Sequence, residues 1–398
     1  MTPLLTLEDL DLGALRGVPV LVRVDFNVPM KDGAVADDTR LVGALPTLRD
    51  LAAAGARQLL ASHCGRPKGE RNRKYTLRPV AARLEELLGR PVGFADDCVG
   101  ESAAAAAAAL GEGGVVLLEN LRYHRGEETN DPEFARALAA PAAAYVDDAF
   151  GAAHRAHASI VGVVAHLARK AAGRLMVREV EALSRLLGRP ERPFAVILGG
   201  AKIEGKIDTL ENLLPRLDLL MVGGGMANTF LAARGYDLRA SLVERERLAL
   251  AADLSRRAAE HGVELLLPTD LVVADALVLP TDVRTVAADA IPEGFLALDV
   301  GPATRAAFAS AIARSRTLFW NGPLGVFERP PFDEGTRATA RALADCPGFT
   351  LIGGGDTVAA ARQAGVTARI GHVSTGGGAA LEFLAGLELP GVAALGRS

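Results

Sequence analysis

The sequence is poor in cysteine and contains no long apolar run. It has three cysteines, Cys64, Cys98 and Cys346, and no two of them form a Cys-x-x-Cys pair. Three widely separated cysteines argue against a disulfide framework or a cysteine-rich zinc site, and they indicate unpaired thiols in a reducing compartment. No stretch of about 18 apolar residues occurs, which argues against a transmembrane helix.

The chain also lacks a broad basic charge. Its formal net charge is −4, whereas general binders of nucleic acid or membrane surfaces carry an extended basic field. The first residues include acids where a secretory signal has basic residues. We therefore expect a cytoplasmic protein that binds neither nucleic acid nor membrane, so any anion site must be formed locally.

What the sequence does contain is a repeated alternation of short apolar runs and helical stretches. This alternation predicts an α/β fold with parallel sheets. A chain of 398 residues exceeds one ordinary core, so we predict two doubly wound, Rossmann-like domains with a ligand cleft between them. The expected domains are residues 1–170 and 188–378, joined by a helix over 171–187. The predicted strands are 18–24, 57–62, 115–119, 143–147, 195–198, 218–222, 263–267, 296–300, 317–320, 349–352 and 370–374.

Polar or glycine-rich words follow nearly every predicted strand, which places them at the carboxyl edge of each sheet, where open α/β sheets bind ligands. The first half places basic side chains there, and the second half places glycine clusters, two lysines and an aspartate. One half therefore suits a small anion and the other a nucleotide. The residues concerned are His63, Arg66, Arg122 and Arg155 in the first half, and Lys202, Lys206 and Asp356 in the second.

The most informative word is AVILGGAKIEGK at 195–206. Only six of the 44 basic residues are lysines, and Lys202 and Lys206 both fall here. The glycines permit a ligand to approach the backbone, and lysines four residues apart on a helical turn would share a face. Ile207 stands where a Walker A loop has its Ser or Thr. The word therefore predicts a phosphate site that does not itself hold the metal.

Each of these motifs has a plainer interpretation. Each arginine alone fits a surface ion pair, although together they favour an anion site. His154 and His157 are spaced for a metal but lack companion ligands, which favours structural histidines. Asp356, after Gly353-Gly354-Gly355, fits either a Mg²⁺ ligand or a helix N-cap. Glu328 alone favours a solvated carboxylate over a ribose ligand.

Nine words in order along nearly the whole chain resemble the phosphoglycerate kinase family. They are VRVDFNVP, SHCGRP, LENLRYH, DDAFGAAHRAHAS, LGGAK, GGGMANTF, NGPLGVFE, GGGDT and STGGGAALEFLAGLELPGVAAL. The resemblance implies reversible phosphoryl transfer from 1,3-bisphosphoglycerate to ADP, giving 3-phosphoglycerate and ATP, with Mg²⁺. It also implies that the segment 379–398 returns to the first domain. We expect a monomer.

The resemblance further implies a role for particular residues. The expected phosphoglycerate ligands are Asp25, Asn27, Arg40, His63, Arg66, Arg122 and Arg155. The expected nucleotide ligands are Gly200, Lys202, Lys206, Gly224, Asn321, Glu328, Gly354, Gly355, Asp356 and Thr357. Asp356 would hold the Mg²⁺. Arg40, Lys202, and the amides of Gly355 and Gly378 would stabilise the transferring phosphoryl group.

Two departures from the family pattern stand out. Gly205 occupies the place of an acid before the second lysine, and Cys64 replaces a leucine in the SHLGRP word. The rival hypotheses are a catalytically silent nucleotide-binding protein on the same fold and a Rossmann dehydrogenase. The second lacks a GxGxxG word after its first strand, and the retained polar groups disfavour the first.

Overall fold

The apolar runs form two six-stranded parallel sheets, each in its own unit of the chain. The computed structural model describes residues 3–397. The first unit extends to Glu181 and resumes at Glu388, and the second comprises Ala182–Leu387. The predicted α/β class with two parallel sheets is confirmed.

The first unit contains the sheet with strand order β5-β6-β4-β1-β7-β8 and a separate hairpin, β2-β3. Its strands are β1 (Pro19–Arg23), β2 (Met30–Lys31), β3 (Ala34–Val35), β4 (Arg57–Ala61), β5 (Val92–Ala95), β6 (Val115–Leu118), β7 (Ala144–Asp147) and β8 (Lys170–Ala172). Its helices are α1 (Thr39–Ala53), α2 (Arg78–Leu88), α3 (Gly100–Ala109), α4 (Arg125–Glu128) and α5 (Pro132–Ala139). Helix α6 (Arg174–Leu187) crosses the boundary between the units.

The central strands are apolar throughout because a parallel sheet between helical layers is buried on both faces. Strand β1 reads PVLVR and is buried from Val20 onward. In register, Leu21 pairs with Leu59 on one side and with Tyr145 on the other. This pairing brings the carboxyl ends of β1, β4 and β7 to one edge, where their following loops meet.

The second unit contains the sheet with strand order β11-β10-β9-β15-β16-β17. Its strands are β9 (Phe194–Leu198), β10 (Leu219–Val222), β11 (Glu264–Leu266), β12 (Asp270–Ala274), β13 (Val283–Ala287), β14 (Leu296–Val300), β15 (Thr317–Asn321), β16 (Phe349–Gly353) and β17 (His372–Val373). Its helices are α7 (Ile207–Leu213), α8 (Gly224–Ala233), α9 (Leu248–Glu260), α10 (Pro302–Arg314), α11 (Glu334–Ala344), α12 (Gly355–Gln363) and α13 (Gly378–Leu384).

One predicted strand lies in a different sheet from the one expected. Residues 296–300 form β14, which pairs antiparallel with β12 rather than extending the parallel sheet. Strands β12 and β13 complete this three-stranded antiparallel sheet. The prediction failed because an apolar run shows that a strand is buried and does not show which strand it pairs with.

The expected helix over 171–187 begins at Arg174, because Lys170–Ala172 pairs with β7 as the edge strand β8.

Near the carboxyl end of the second unit, α13 packs on α7, and Thr209 donates a hydrogen bond to the Leu381 carbonyl. Residues 379–387 thus belong to the second unit. From Glu388 the chain lies in the first, where α14 (Pro390–Ala393) begins and the Gly391 amide bonds the Ala153 carbonyl at 2.8 Å. Among the described residues, no helix is both long and apolar enough to span a membrane.

Candidate functional site

The loop after β1 arranges a carboxylate and an arginine as a fixed pair. Asp25 Oδ2 lies 2.9 Å from Arg40 Nη1. The same nitrogen donates to the Asn27 carbonyl at 3.0 Å. Arg40 is the second residue of α1, so the helix and the loop together orient its guanidinium. Asp25 acts here by holding Arg40, with which it forms an ion pair.

His63, after β4, is buried beside several arginines. Burial and the charges of Arg23, Arg122, Arg155 and Arg40 hold the pKa of His63 well below its usual value. Arg23 Nη2 lies 3.2 Å from His63 Nδ1. A guanidinium can only donate, so Nδ1 accepts and the imidazole proton sits on Nε2. His63 is therefore a neutral hydrogen-bond donor among cations.

Arg122 has more donors than partners. Its Nη1 donates to the Gly65 carbonyl at 2.7 Å, while Nε lies 3.2 Å from Glu128 Oε1 without hydrogen-bond geometry. Its Nη2 is buried with no hydrogen-bond partner among the described residues. Burial lowers the pKa of Arg122, Glu128 opposes this shift, and Arg155 and Arg23 add to it. An anion would satisfy the free donor and the unbalanced positive charge.

The remaining expected ligands of this first group differ in exposure. Asn27 Oδ1 accepts from the Gly65 amide at 2.9 Å, which ties the β1 and β4 loops together. Arg155 Nε donates to His154 Nε2 at 3.2 Å. Arg66 is exposed. The basin of positive charge is thus formed by Arg23, Arg40, Arg122 and Arg155 around His63, with Arg66 on the surface. We call this group the arginine basin.

Arg23 was missed by the sequence reasoning. It is the last residue of β1 and is almost fully buried. Its Nε donates to Ser159 Oγ at 2.8 Å. The sequence did contain a signal, because Arg23 is the one charged residue of an otherwise apolar strand. A buried arginine needs partners or has a function.

The second unit contains a cavity of about 330 Å³. Four of the expected nucleotide ligands line it: Gly200, Gly224, Glu328 and Asp356. Most of the other wall is aliphatic, and the sequence reasoning missed this part. It includes Leu242, Leu271, Leu277, Leu296, Leu298, Val300, Leu324 and Val326. A largely apolar cavity with a few polar groups in its lining suits a flat heterocycle attached to a polar chain.

The two lysines do not share a helical turn as expected, since both precede α7. Lys202 is exposed, whereas Lys206 directs its ammonium back onto the Gly199 carbonyl. Burial lowers the pKa of Lys206 to about 8, and the nearby charge of Asp356 acts in the opposite direction. Gly205 has a φ of +79°, a conformation that an acidic side chain at this position would adopt only with strain.

The glycine turn after β16 begins helix α12. Gly354 has a φ of +90° and precedes Gly355, so Asp356 lies in the first helical turn and is not the N-cap. Thr357 Oγ1 accepts from the Gly322 amide at 2.6 Å, and Asn321 Nδ2 donates to the Gly353 carbonyl at 3.0 Å. These two side chains brace the turn. A side-chain carbon added at Gly355 or Gly378 would meet nothing within 4 Å, so open space lies beside the α-carbon of each.

Asp356 fits the requirements of a Mg²⁺ ligand. Its carboxylate is exposed and lines the cavity beside Lys206, and Mg²⁺ prefers oxygen ligands supplied by one or two carboxylates and by phosphates. In the first unit, His157 Nδ1 lies 3.7 Å from the buried Glu127 Oε1.

Comparison with known proteins gives a uniform result. Residues 7–387 match the family described as phosphoglycerate kinase. The phosphoglycerate kinase of Moorella thermoacetica is 55% identical over 98% of both chains, and that of Thermomicrobium roseum is 53% identical over 98% of both. The solved phosphoglycerate kinase of Coxiella burnetii superposes with a TM-score of 0.88 at 42% identity and covers 99% of both chains.

Proposed function

The chain belongs to the phosphoglycerate kinase family, and from that premise we propose which of its residues carry the reaction. The reaction of the family is reversible phosphoryl transfer between 1,3-bisphosphoglycerate and ADP, and the chain is a phosphotransferase. We assign the arginine basin to the phosphoglycerate and the cavity of the second unit to the nucleotide.

The single observation that carries the first assignment is the unbalanced charge around His63. Burial and the charges of four arginines lower the pKa of one histidine, and Arg122 keeps a buried donor with no partner among the described residues. A phosphate with a carboxylate on a three-carbon chain offers several anionic oxygens to such a basin. In this assignment Asn27 and Arg66 supply further donors, and His63 Nε2–H donates to a substrate oxygen.

The second assignment follows from the cavity. The adenine lies against the aliphatic wall and the backbone of Gly200 and Gly224, and Glu328 accepts from the ribose hydroxyls. Lys202, Lys206 and the amides of the 353–357 turn bind the phosphates. Asp356 holds Mg²⁺, which when bound neutralises charge on the nucleotide phosphates.

The mechanism needs no catalytic base. In the ATP-forming direction a terminal oxygen of ADP attacks the acyl phosphate, the bond from phosphorus to the acyl oxygen breaks, and a carboxylate leaves without a proton. In reverse, the nucleophile is a carboxylate already ionised at neutral pH. The protein therefore positions the reactants and neutralises the equatorial oxygens, with Arg40, Lys202 and the amides of Gly355 and Gly378 as the donors. One such donor is typically worth about 3 kcal/mol of barrier.

The assignment to separate units is tested by calorimetry on Arg122→Ala. We expect binding of 3-phosphoglycerate to weaken by about 100-fold, as for the loss of a charge-assisted donor pair, while Mg-ADP affinity is unchanged. Arg125→Ala, on the neighbouring helix α4, is the matched control and should leave both affinities unchanged. Weakened ADP binding in Arg122→Ala would contradict the assignment.

We further propose that the protein acts as a cytoplasmic monomer. Light scattering of the purified protein measures its oligomeric state.

A further inference from the structure

The first unit contains a mixed set of metal-ligand side chains outside the residues assigned to the reaction. Asp97, Cys98 and His124 bring a carboxylate oxygen, a thiol sulfur and an imidazole nitrogen within 4.8 Å of one another. Asp97 and Cys98 follow β5, and His124 follows the 3₁₀ turn Leu121–Tyr123. We propose that these three side chains bind a divalent transition-metal ion of the zinc class, with solvent completing the coordination. This proposal is independent of the residues assigned above.

The three groups are already held in place. His124 Nε2 lies 2.7 Å from Asp97 Oδ1. The His124 ring stacks on Phe134 with centroids 5.2 Å apart. The Cys98 amide donates to Asp97 Oδ1 at 2.7 Å, which fixes the carboxylate beside the thiol. A metal ion would take the place of the proton shared between His124 and Asp97, so binding requires small side-chain adjustments and no change of backbone.

The local charge favours a cation. Cys98 is buried, and the carboxylates of Asp97 and Glu127 are the charged groups that act on its thiol. Their negative charge favours a cation at this site. Arg71 opposes a cation, because its Nη2 lies 2.6 Å from Asp97 Oδ2. Its side chain is 56% exposed, so solvent screens its charge, and Oδ1 remains directed toward His124 and Cys98.

The ligand types select the metal. Sulfur and imidazole nitrogen suit Zn²⁺ and Co²⁺, whereas Mg²⁺ takes oxygen ligands. Binding of Zn²⁺ forms bonds to the Cys98 sulfur, the His124 nitrogen and the Asp97 oxygen. The thiol proton goes to solvent, and the imidazole proton moves from Nε2 to Nδ1, which frees the Nε2 lone pair for the metal. Three protein ligands leave one position for water, which is the arrangement of an exchangeable site.

The test is a titration of the full-length, reduced protein with Co²⁺, followed by absorption in the near ultraviolet, where a cobalt–thiolate bond gives a charge-transfer band. We expect one equivalent to saturate the band in the wild type and in the control Cys346→Ser. Cys98→Ser should lose the band, and His124→Gln should weaken Co²⁺ binding by at least about tenfold, as for loss of one ligand of three. Circular dichroism and kinase activity of each variant show that it is folded.

Calorimetry with Zn²⁺ in buffers of different ionisation enthalpy adds a second measurement. We expect release of about one proton per Zn²⁺ bound. While the pH is below the thiol pKa, the apparent Kd should therefore fall about tenfold for each unit by which the pH is raised. Absence of the band in the wild type overturns the proposal. So does a band of full strength in Cys98→Ser, which would assign the metal to Cys64 or Cys346.

Discussion

His63 is buried and Lys206 is half-buried, and the surroundings of each lower its pKa by a different route. For His63, burial is joined by four guanidinium charges, so the ring stays a neutral donor in a field that attracts anions. For Lys206, burial alone lowers the pKa, and Asp356 partly restores it. His63 is therefore a neutral donor within the arginine basin. Lys206 is a cation whose charge a bound anion would stabilise.

Lys206 should make nucleotide binding depend on pH. Its pKa of about 8 in the free protein means that the ammonium is lost as pH rises through 8, while bound phosphates would raise that pKa. We therefore expect proton uptake on Mg-ADP binding near pH 8, and a Kd that rises by up to about tenfold per pH unit above it. Calorimetry between pH 7 and 9.5 measures this dependence.

Lys206→Arg is the matched control for this dependence, because a guanidinium stays charged throughout this range. It should flatten the pH dependence of the Kd even if the affinity itself falls. An equal slope in the wild type and Lys206→Arg would assign the titration to another group.

At the scale of the element, the first glycines of α8, α12 and α13 distinguish a structural use of glycine from a functional one. The fold requires glycine at position 224, because Gly224 has a φ of +64° and an added side-chain carbon would lie 2.7 Å from the Gly200 carbonyl oxygen. Gly355 and Gly378 have no such neighbour within 4 Å. A glycine that the folded protein does not require at such a place indicates close approach of a ligand to the backbone.

Alanine at Gly355 or Gly378 should therefore leave stability unchanged, or raise it by up to about 1 kcal/mol, and lower kcat by at least about tenfold, because the methyl group would occupy the approach of the transferring phosphoryl group. Thermal unfolding and steady-state kinetics measure the two effects. Gly111→Ala, also without a neighbour within 4 Å, is the control, which should affect stability in the same way and leave kcat unchanged. Full turnover in both variants would remove these amides from the proposed mechanism.

The start of helix α6 depends on one buried carboxylate. Asp148 Oδ1 accepts from the amides of Leu175 at 2.8 Å and Met176 at 3.1 Å. Burial raises the pKa of Asp148 to about 6, against these hydrogen bonds and that of Thr47. The carboxylate therefore accepts hydrogen bonds from two amides of the first helical turn, although its burial away from water opposes the charged form.

Asp148→Ala should lower the free energy of unfolding of the first unit by about 1–3 kcal/mol, because it leaves two buried amides without an acceptor. Asp148→Asn keeps one acceptor oxygen and should lose less. The pKa of Asp148 in the folded protein exceeds its unfolded value, so protonation of Asp148 stabilises the fold at low pH, and this stabilisation is lost as pH rises through about 6. The loss of unfolding free energy caused by Asp148→Asn should therefore be smaller at pH 8 than at pH 5. Urea unfolding at the two pH values measures this, and equal costs for Ala and Asn would contradict the capping role.

At the scale of the whole molecule, the proposed substrate ligands belong to one unit and the proposed nucleotide ligands to the other. In-line transfer requires reacting atoms within about 3–3.5 Å of one another. We therefore propose that the reaction includes a closing motion, with hinges at the ends of α6 and at the second crossing between the units, Leu387–Glu388. The pair of ligands favours the closed form more than either ligand does alone.

Small-angle scattering measures this motion. The radius of gyration should be smaller with 3-phosphoglycerate plus a non-hydrolysable Mg-ATP analogue than with either ligand alone or with none. Identical radii in all four states would contradict the hinge proposal and leave the assigned chemistry in place.

The sequence by itself determined the fold class, most central strands and the glycine turns at their ends. Strands such as β1, β9 and β15 are recognisable because burial on both faces demands an unbroken apolar run, and that demand is local. Edge strand β8 was not predicted because it has only three residues. Strand β13, at the edge of the antiparallel sheet, was not predicted because it is mostly exposed and lacks an apolar run.

Only the tertiary structure decided which side chains meet. The contact between Arg23 and His63 joins the ends of two strands 40 residues apart, and no periodicity predicts it. The aliphatic wall of the cavity is drawn from loops and from strands of the antiparallel sheet, where leucines have the same pattern as ordinary core. Asp97, Cys98 and His124 likewise converge through loop packing. Local patterns specify elements, whereas the juxtaposition of loops is settled by how the elements pack.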